Sequence, residues 1–386
     1  MVSLIFWLSL AIILYTYLGY GLIVWIWASF SKQGEERSGN KSYEPEVTLI
    51  VPAYNEAAIL DAKVQNCLAL EYPTAKLQLL FITDGTTDNS NAILANYPSV
   101  RHLYVPDRGG KTMAENRAMR YVNTPYVIFT DCNTLLNKEA IRKLVQHYVK
   151  PTVGAVSGEK QILSNRSTSG SGEGLYWKYE SFLKRCDSRI YSLMGAAGEL
   201  VSFRTELFNP LEEDTILDDF VQSMRIVEAG YKVIYEPKAY AMELPSASLG
   251  EEMERKIRIA AGGWQSMSRL TSLLNPLRQP VVTFLYISHR VLRWSLTPLL
   301  LALLIPINIY LAFTSTILYV YILSLQLLFY AVAGLGWWAA SHNYTTGASL
   351  IPMYFTMMNV AVFRGYWRFL RKAQPAAWNK SQRAMS

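Results

Sequence analysis

The sequence predicts an α/β protein with a mostly parallel central sheet, flanked by transmembrane and interfacial helices. Residues 3–28 contain no charged side chain, and a second apolar block extends from Trp294 to Trp338. Between these blocks, short apolar runs with strand character alternate with helical patterns. That alternation is typical of βαβ units, whose strands lie parallel in one sheet.

The first apolar run is longer than the roughly 20 residues that a helix needs to cross a bilayer, so residues 1–30 are predicted to form a transmembrane helix. The alternative is a cleaved signal peptide. It fits less well, because no basic residue precedes the run and the run is too long for one.

The second block is long enough for two crossings, so residues 294–340 are predicted to hold two transmembrane helices, near 295–313 and 316–338. The preceding segment, 271–293, is interpreted as interfacial and amphipathic. Residues 349–363 are marginal in length for a crossing and continue into a basic stretch that contains Arg364, Arg368, Arg371 and Lys372. We therefore expect an interfacial helix followed by a basic tail in 341–386, with a short fourth crossing as the alternative.

Basic residues set the expected orientation in the membrane. With three crossings, the basic residues after the first helix, before the second and after the third all lie on one side of the membrane. That side is predicted to be the cytoplasm, which places residues 30–290 and the C-terminus there, at a bacterial inner or plasma membrane. The net charge of +7 is then explained by anionic lipid and implies no nucleic-acid partner. The spacing of Cys67, Cys132 and Cys186 shows no disulfide framework or metal motif, which fits a reducing compartment.

Residues 31–270 form the predicted cytoplasmic domain. A Gly/Ser-rich stretch at 164–174 is interpreted as a polar loop. One helical pattern follows the first strand and extends from Ile59 to Leu70. A second follows the glycine pair before Lys111 and extends to Tyr121. The strands are expected at 46–53 (EVTLIVPA), 77–85 (LQLLFITDG), 100–106 (VRHLYVP) and 126–133 (YVIFTDCN).

Polar residues follow three of these strands. Tyr54, Asp84 and Asp131 each come just after a strand, and ligands bind beyond the carboxyl ends of parallel strands, so the three side chains are expected to meet in one crevice. Structural alternatives exist for each feature. Asp84 could be a turn residue, Asp131 could cap a helix beginning near Asn137, and the glycine pair at 109–110 could be an ordinary loop.

The residue types at this edge suit a nucleotide diphosphate. Its charge calls for a hard divalent cation, which binds carboxyl and amide oxygens such as those of Asp131 and Asn133. Lys111 can reach phosphate oxygens, and Tyr54 offers an aromatic face to a base.

The motifs VPAYNE, DGTTD, GGK, TDCN, LDDF and AGYKVIYEP together resemble the membrane-embedded family 2 glycosyltransferases, the relatives of cellulose, hyaluronan, chitin and poly-N-acetylglucosamine synthases. The resemblance covers about residues 45–270 and the flanking helices, with the motifs in the family's order. It implies a GT-A-type nucleotide-sugar-binding domain and an inverting transfer from a UDP-linked sugar with Mg²⁺ or Mn²⁺. The acceptor it implies is a growing polysaccharide or a membrane-associated molecule; the alternative is single-sugar transfer to a lipid.

The resemblance also assigns nucleotide contacts. Pro52, Tyr54 and Glu56 match the segment at the base, Asp84 matches the carboxylate that reads the uracil edge, and Lys111 matches the lysine near the nucleotide. Asp131 matches the first acid of the Asp-x-Asp metal motif. Asn133 stands where the family usually has the second acid, so one ligand brings no charge.

Counting back from AGYKVIYEP places Asp219 on the family's catalytic aspartate and Asp218 on the preceding glutamate, while Leu217 replaces a threonine. Adjacent carboxylates also suit general-base chemistry, because one raises the pKa of the other. The structural alternative is an acidic helix N-terminus. Glu213 and Asp214 are rival candidates.

The next motif departs from the family. Arg258 matches the family's arginine, which binds pyrophosphate. Arg255 stands in place of the usual glutamine, and Ile259 in place of the tryptophan that contacts the acceptor sugar. These two replacements favour single transfer over processive synthesis. Trp264 is the aromatic alternative further along the helix. Gly195 and Gly198 lie in a segment that resembles the acceptor site. Trp378 and Lys380 resemble the gating loop over bound nucleotide, the alternative being a basic tail.

Overall fold

The computed structural model describes residues 1–31, 42–163, 168–342, 344 and 346–377. At its centre is a mixed sheet of eight strands within these residues. The strands are β1 (Val47–Ala53), β2 (Leu77–Asp84), β3 (Arg101–Val105), β4 (Tyr126–Thr130), β5 (Thr134–Leu136), β6 (Val153–Ile162), β7 (Leu200–Arg204) and β8 (Lys232–Glu243).

The strand order is β3-β2-β1-β4-β7-β6-β8-β5. The first four strands in this order pair in parallel, which confirms the predicted parallel sheet. Strand β7 pairs antiparallel to both of its neighbours, β6 and β8 are parallel, and β5 is antiparallel to β8. The sheet is therefore parallel on one side and mixed on the other.

Strand β1 is buried in the parallel half, and its side chains alternate between two hydrophobic clusters. Ile50 contributes to the cluster on one face of the sheet, and Leu49 and Val51 to the cluster on the other. Its register with β2 pairs Ala53 with Thr83, and β2 in turn pairs Asp84 with Val105. The strands thus end together, which brings the polar residues after them to one edge.

Helices cover both faces of the sheet and form the membrane-facing part. The first membrane helix has a π-helical segment, Tyr15–Gly19, between its two α-helical parts. The α-helices are α1 (Val2–Leu14), α2 (Tyr20–Phe30), α3 (Ala57–Leu68), α4 (Ser90–Ala95), α5 (Lys111–Met119), α6 (Ala140–Val145), α7 (Thr168–Ile190), α8 (Asp218–Glu228), α9 (Leu249–Arg269), α10 (Pro280–Tyr286), α11 (Leu292–Trp294), α12 (Leu296–Thr314), α13 (Ile317–Ser341) and α14 (Leu350–Leu370).

Three helices in the described part of the chain are long and apolar enough to cross a membrane: Val2–Phe30, Leu296–Thr314 and Ile317–Ser341. Helix α14 does not belong to this group. It packs closely along α9, where Gly365 lies against Ala260, and this contact joins the membrane-facing helices to the sheet domain.

Two local interpretations of the sequence were wrong. The Gly/Ser-rich stretch 164–174 is not a loop throughout, because α7 already begins at Thr168. Gly and Ser are weak helix formers, but tertiary contacts along the rest of a long helix outweigh that local preference. Asp131 does not cap a helix either: β5 follows it, and the next helix, α6, begins at Ala140 after Glu139.

Candidate active site

Asp84 ends β2 and anchors the glycine-rich loop before α5. Its Oδ2 accepts hydrogen bonds from the backbone N–H groups of Gly109 (2.9 Å) and Gly110 (2.6 Å). Its Oδ1 pairs with Arg117 on α5. Gly110 has φ +87°, a conformation that favours glycine. Both carboxylate oxygens are thus engaged by the chain itself, a contact that sequence reasoning missed because Arg117 lies outside the quoted motifs.

Tyr54 lies beside this loop, and the guanidinium of Arg108 stacks on it, with Cζ 3.8 Å from the ring centroid. The next residue, Asn55, has φ 53° and accepts a 2.8 Å hydrogen bond from the Thr87 N–H. Glu56 donates its N–H to Ser90 Oγ over 3.2 Å. The loop after β1 is thereby tied to the loop after β2. Pro52, which pairs with Ile82 in the sheet, lies at the same edge.

Lys111, the first residue of α5, lies in a cluster of acids. Its Nζ is 2.7 Å from Asp131 Oδ1, 3.6 Å from Asp218 Oδ2 and 3.9 Å from Glu115 Oε1. Three predicted site residues, Lys111, Asp131 and Asp218, therefore meet, although they are distant in sequence. Glu115 was not predicted. Its spacing of four residues from Lys111 on one helix was the available signal.

The acid cluster has perturbed protonation equilibria. Burial opposes ionisation of Asp218, but the Lys111 ammonium, a hydrogen bond with Glu115 and the Arg258 guanidinium together lower the pKa of its carboxyl. Burial, and then the Asp218 carboxylate, raise the pKa of Asp219 to about 7. Burial and Asp218 likewise raise the pKa of Glu115 well above its usual range. Of the two adjacent acids on α8, Asp219 thus has the pKa suited to a general base near neutral pH.

Asp131 and Asn133 are in the turn between β4 and β5. Asn133 donates Nδ2–H to Glu243 Oε1 over 3.0 Å, so its amide oxygen is the atom left for a cation. The turn is held from beneath by Lys63, whose fully buried ammonium donates to Thr130 Oγ1 (3.1 Å) and to the Thr134 carbonyl (2.7 Å). Neither Lys63 nor Glu243 was singled out in the sequence.

Asp131 and Asn133 offer two oxygen ligands to a divalent cation. In the described ranges, no group of three His, Cys, Asp or Glu side chains could hold a metal ion. A carboxylate from Asp131 and an amide oxygen from Asn133 nevertheless fit a hard cation such as Mg²⁺ or Mn²⁺, which keeps water and substrate phosphates as its further ligands. The surplus of carboxylates around Lys111 also favours an added positive charge.

Arg258 reaches the same cluster from α9. Its Nη2 donates to the Ile216 carbonyl over 2.9 Å, and the carboxylates of Asp218, Asp219 and Asp131 all act on its charge. The guanidinium therefore lies close to the acids that surround Lys111.

The two predicted acceptor glycines have different surroundings. A Cβ on Gly198 would lie 3.1 Å from both Asp219 Oδ2 and Lys111 Nζ, so Gly198 lies directly at the acid cluster. Gly195 has φ +96°, and a Cβ there would lie 2.2 Å from Phe220 Cδ2. Packing therefore requires glycine at 195, and only Gly198 is brought to the site.

Asp219 lies between two cavities. One is a small pocket that also includes Lys111, Gly198 and Asp218. The other has a volume of about 480 Å³ and extends from Asp219 toward the membrane helices. The described residues that line it near Asp219 include Ala196, Ala197, Glu199, Leu217 and Phe220, and those further along include Tyr17, Ile351, Phe355, Met358 and Val362.

The aromatic residue that sequence reasoning favoured for this cavity lies elsewhere. Trp264 packs on Tyr366 of α14, with ring centroids 4.5 Å apart, and is not in the lining of the large cavity. Ile259 does line it, and the aromatic rings there come from other helices, among them Trp177 on α7 and Trp294 on α11. No local sequence signal marked Trp177, because α7 was interpreted partly as a loop.

The C-terminal segment returns to the glycine-rich loop before α5. Ala377 lies so close to the glycine-rich loop that a Cβ on Gly110 would be 2.9 Å from the Ala377 Cβ. Trp378 and Lys380, the residues that resemble a gating loop, follow directly and lie outside the described residues.

Comparison with known proteins agrees with this geometry. The sequence family described as Glycosyl transferase family 2 matches residues 48–208, which include Asp84, Lys111, Asp131 and Asn133. Over its whole length the chain resembles the structure of a mannosyltransferase from Pyrobaculum calidifontis in complex with GDP-Man and Mn²⁺, with a TM-score of 0.75, 21% identity, and 96% of this chain and 99% of the other covered. That likeness establishes a GT-A-like fold.

Among curated proteins, the chain is similar to poly-β-1,6-N-acetyl-D-glucosamine synthases. It is 26% identical over 234 residues to the enzyme of Staphylococcus aureus strain COL, and 25% identical over 234 residues to that of Staphylococcus epidermidis strain RP62A. In each case the match covers 58% of this chain and 56% of the relative, so the chain spans about half the length of the curated relatives it matches.

The fold is thus a GT-A-like α/β domain joined to apolar helices that fit membrane integration. Residues 48–208 match a family 2 glycosyltransferase domain, and part of the chain is similar to the poly-β-1,6-N-acetyl-D-glucosamine synthases named above.

Proposed function

We propose that the protein transfers a sugar, with inversion, from a nucleotide diphosphate donor to an acceptor that enters through the large cavity. One observation carries this proposal. Asp219, whose pKa is raised to about 7, borders both the acid cluster around Lys111 and the cavity that leads to the membrane helices. A base at that junction can touch the acceptor hydroxyl on one side and the donor sugar on the other.

The reaction follows from these positions. Asp219 removes the proton of the acceptor hydroxyl, whose oxygen attacks the anomeric carbon as the bond to the diphosphate breaks. Lys111 and Arg258 stabilise the negative charge that develops on the departing diphosphate, since positioned cations act most strongly where charge appears. Asp218 keeps Lys111 in place and raises the pKa of Asp219. A single displacement without a protein nucleophile inverts the configuration.

A divalent cation belongs to this proposal. Asp131 and Asn133 would hold Mg²⁺ or Mn²⁺ together with the diphosphate, where the ion supplies charge neutralisation. The mannosyltransferase with the similar fold was solved with Mn²⁺, which agrees with this choice of ion. Lys111 now lies against Asp131, so its ammonium would turn toward the phosphates when a cation binds.

For the donor base we propose uracil, on the resemblance of Asp84 and Tyr54 to the family's base-contacting residues. In this structure Asp84 is engaged by Gly109, Gly110 and Arg117, and Arg108 covers the Tyr54 ring. Stacking of a base on Tyr54 would therefore displace Arg108 from the ring, and the guanidinium would bring positive charge close to the nucleotide. A GDP-linked donor, as in the mannosyltransferase complex, is the competing identity.

The acceptor is a growing polysaccharide, as made by the relatives similar to this chain, or a single membrane lipid. The loss of the family's acceptor tryptophan at Ile259 supports the lipid. Basic residues next to the apolar helices support a cytoplasmic catalytic domain.

The test is to incubate the full-length protein, in lipid, with radiolabelled UDP-GlcNAc, UDP-Glc and GDP-Man, each with Mn²⁺ and with EDTA. Transfer or hydrolysis of one donor that needs the metal and is lost in Asp219→Asn supports the proposal. Absence of turnover with all three contradicts this donor assignment. The size of the labelled product separates a polymer from single transfer.

A further inference from the structure

A charged group in the wall of the large cavity has no use in the proposed reaction. Lys184 on α7 is 4% exposed and lines the cavity, and within the described part of the chain its ammonium makes no hydrogen bond or ion pair. Its only described contact is with the ring of Trp177, whose centroid lies 5.1 Å away. A buried ammonium without a hydrogen-bond acceptor destabilises the protein. Its presence here therefore points to a ligand atom that accepts a hydrogen bond from it.

The nearby carboxylates do not fill that place, because each is bound to another group. Three of them act on Lys184 from a distance: Glu159, Glu180 and Glu199. Ser181 donates a hydrogen bond to Glu159, and Lys160 donates one to Glu199 over 2.7 Å. Arg290 and Arg293 both donate to Glu180. No carboxylate of the described residues pairs with the Lys184 ammonium, and the Arg290 guanidinium adds further positive charge to the same wall of the cavity.

A second donor points to the same ligand. The indole Nε1 of Trp177 is buried and has no hydrogen-bond partner among the described residues, and the Trp177 side chain also lines the cavity. Lys and Trp side chains are donors only. Two unsatisfied donors on one stretch of α7 call for a group made of acceptors, such as the oxygens of a phosphate.

The rest of the cavity determines what carries that group. Beyond the polar residues, the wall is formed by apolar side chains of α14, including Ile351, Phe355 and Met358, and by Tyr17 in the first membrane helix. Arg293 lies in the same wall, three residues before the membrane helix α12 begins. An occupant with a phosphate at Lys184 would therefore extend an apolar chain along α14.

We infer that the acceptor is an anionic lipid, whose phosphate is held by Lys184 and Trp177 and whose hydrocarbon lies against α14. This inference rests on the proposed function, since it names the acceptor class of the same site. It favours single transfer to a lipid-linked acceptor over extension of a neutral polymer.

The test is direct binding to the full-length Asp219→Asn protein in detergent, with farnesyl phosphate and with farnesol, the same chain without the anion, measured by calorimetry. We expect the phosphate to bind at least about tenfold more tightly than the alcohol, as for a hydrogen bond to a charged group. Lys184→Met should remove this preference. Lys178→Met, an exposed lysine on the same helix, is the matched control and should keep it.

Equal binding of phosphate and alcohol, or an unchanged preference in Lys184→Met, would overturn the inference. Inorganic phosphate that binds as tightly as farnesyl phosphate would overturn its lipid part. If Lys184→Met fails to fold, Trp177→Phe is the second variant. It keeps an aromatic side chain and removes the indole N–H, so it should reduce the preference for the phosphate over the alcohol by a few-fold. Because binding is measured in a protein that is expected not to turn over, its failure is separate from a failure of wild-type sugar transfer.

Discussion

The amide nitrogen of Asn133 donates a 3.0 Å hydrogen bond to Glu243 Oε1, and this contact explains how an amide is accommodated in a motif that usually carries two acids. Glu243 is buried and also pairs with Lys160. An aspartate at 133 would face this carboxylate with a like charge and without a proton to donate. The asparagine is thus matched to its neighbour.

Asn133→Asp should therefore destabilise the metal-free protein by about 1–3 kcal/mol, the cost of leaving buried polar groups badly paired. A divalent cation should recover this loss, because the variant offers one more negative ligand. The check is the melting temperature with EDTA and with Mn²⁺. An equal effect of Mn²⁺ on the variant and the wild type would contradict the assignment of residue 133 to the cation.

The pH dependence of transfer should report on Asp219. Because the pKa of this carboxyl is raised to about 7 and the base must be ionised, the rate should rise with pH up to about 7 and then level off. Asp219→Asn should reduce transfer on the order of 10² to 10⁴-fold and leave nucleotide binding intact. A rising limb that persists in the residual activity of the variant would show that another group titrates.

Stability should change with pH in the opposite direction. A folded-state pKa above the unfolded value means that the native state binds more protons between about pH 4 and 7, so this group makes the protein less stable as pH rises through that window. Unfolding of wild type and Asp219→Asn by denaturant at pH 5 and pH 8 measures the difference. We expect the variant to lose less stability over this range, and parallel losses would contradict the raised pKa.

Gly195 and Gly198 make a matched pair for separating packing from catalysis. Gly195→Ala should lower the melting temperature, because its backbone has φ +96° and the added Cβ would overlap the Phe220 ring. Gly198→Ala places a Cβ 3.1 Å from Asp219 Oδ2 and Lys111 Nζ, so it should reduce transfer with little loss of stability. Thermal melting and donor turnover of both variants provide the check. The reverse pattern would show that Gly195 is the acceptor contact.

Lys63 should act as a positioning residue for the turn that carries Asp131. Lys63→Met leaves the Thr130 hydroxyl and the Thr134 carbonyl without their donor, which should cost about 1–3 kcal/mol and weaken Mn²⁺ binding. Titration of Mn²⁺ against the variant, with Lys143→Met on the neighbouring surface as control, tests this. Unchanged Mn²⁺ affinity in a folded Lys63→Met protein would restrict Lys63 to a structural role.

The sequence was sufficient for the four parallel strands β1 to β4 and for the edge at which the candidate site lies. Strand β1 was predicted at 46–53 and observed at Val47–Ala53, because a short run of β-branched and apolar residues between polar loops has few other solutions. Tyr54, Asp84 and Asp131 were expected to meet at one edge, since parallel strands and the loops after them end together.

The partners of these residues were not predictable, because they come from distant segments or lie outside any motif. Arg117 on Asp84 and Glu243 on Asn133 belong to this group. The same holds for Gly195, which resembles an acceptor contact in sequence but is required by the Phe220 ring.

By itself, the sequence determined the type of sheet, the apolar helices and the residue types at the candidate site, because these depend on local periodicity and on short motifs. Only the tertiary structure decided which aromatic residue faces the cavity. Trp264 was expected there, but α14 packs against α9 and covers it with Tyr366, while α7 brings Trp177 and Lys184 to the cavity wall. Packing between helices that are distant in sequence produces no periodic pattern in either helix. This packing determines which side chains an acceptor can touch.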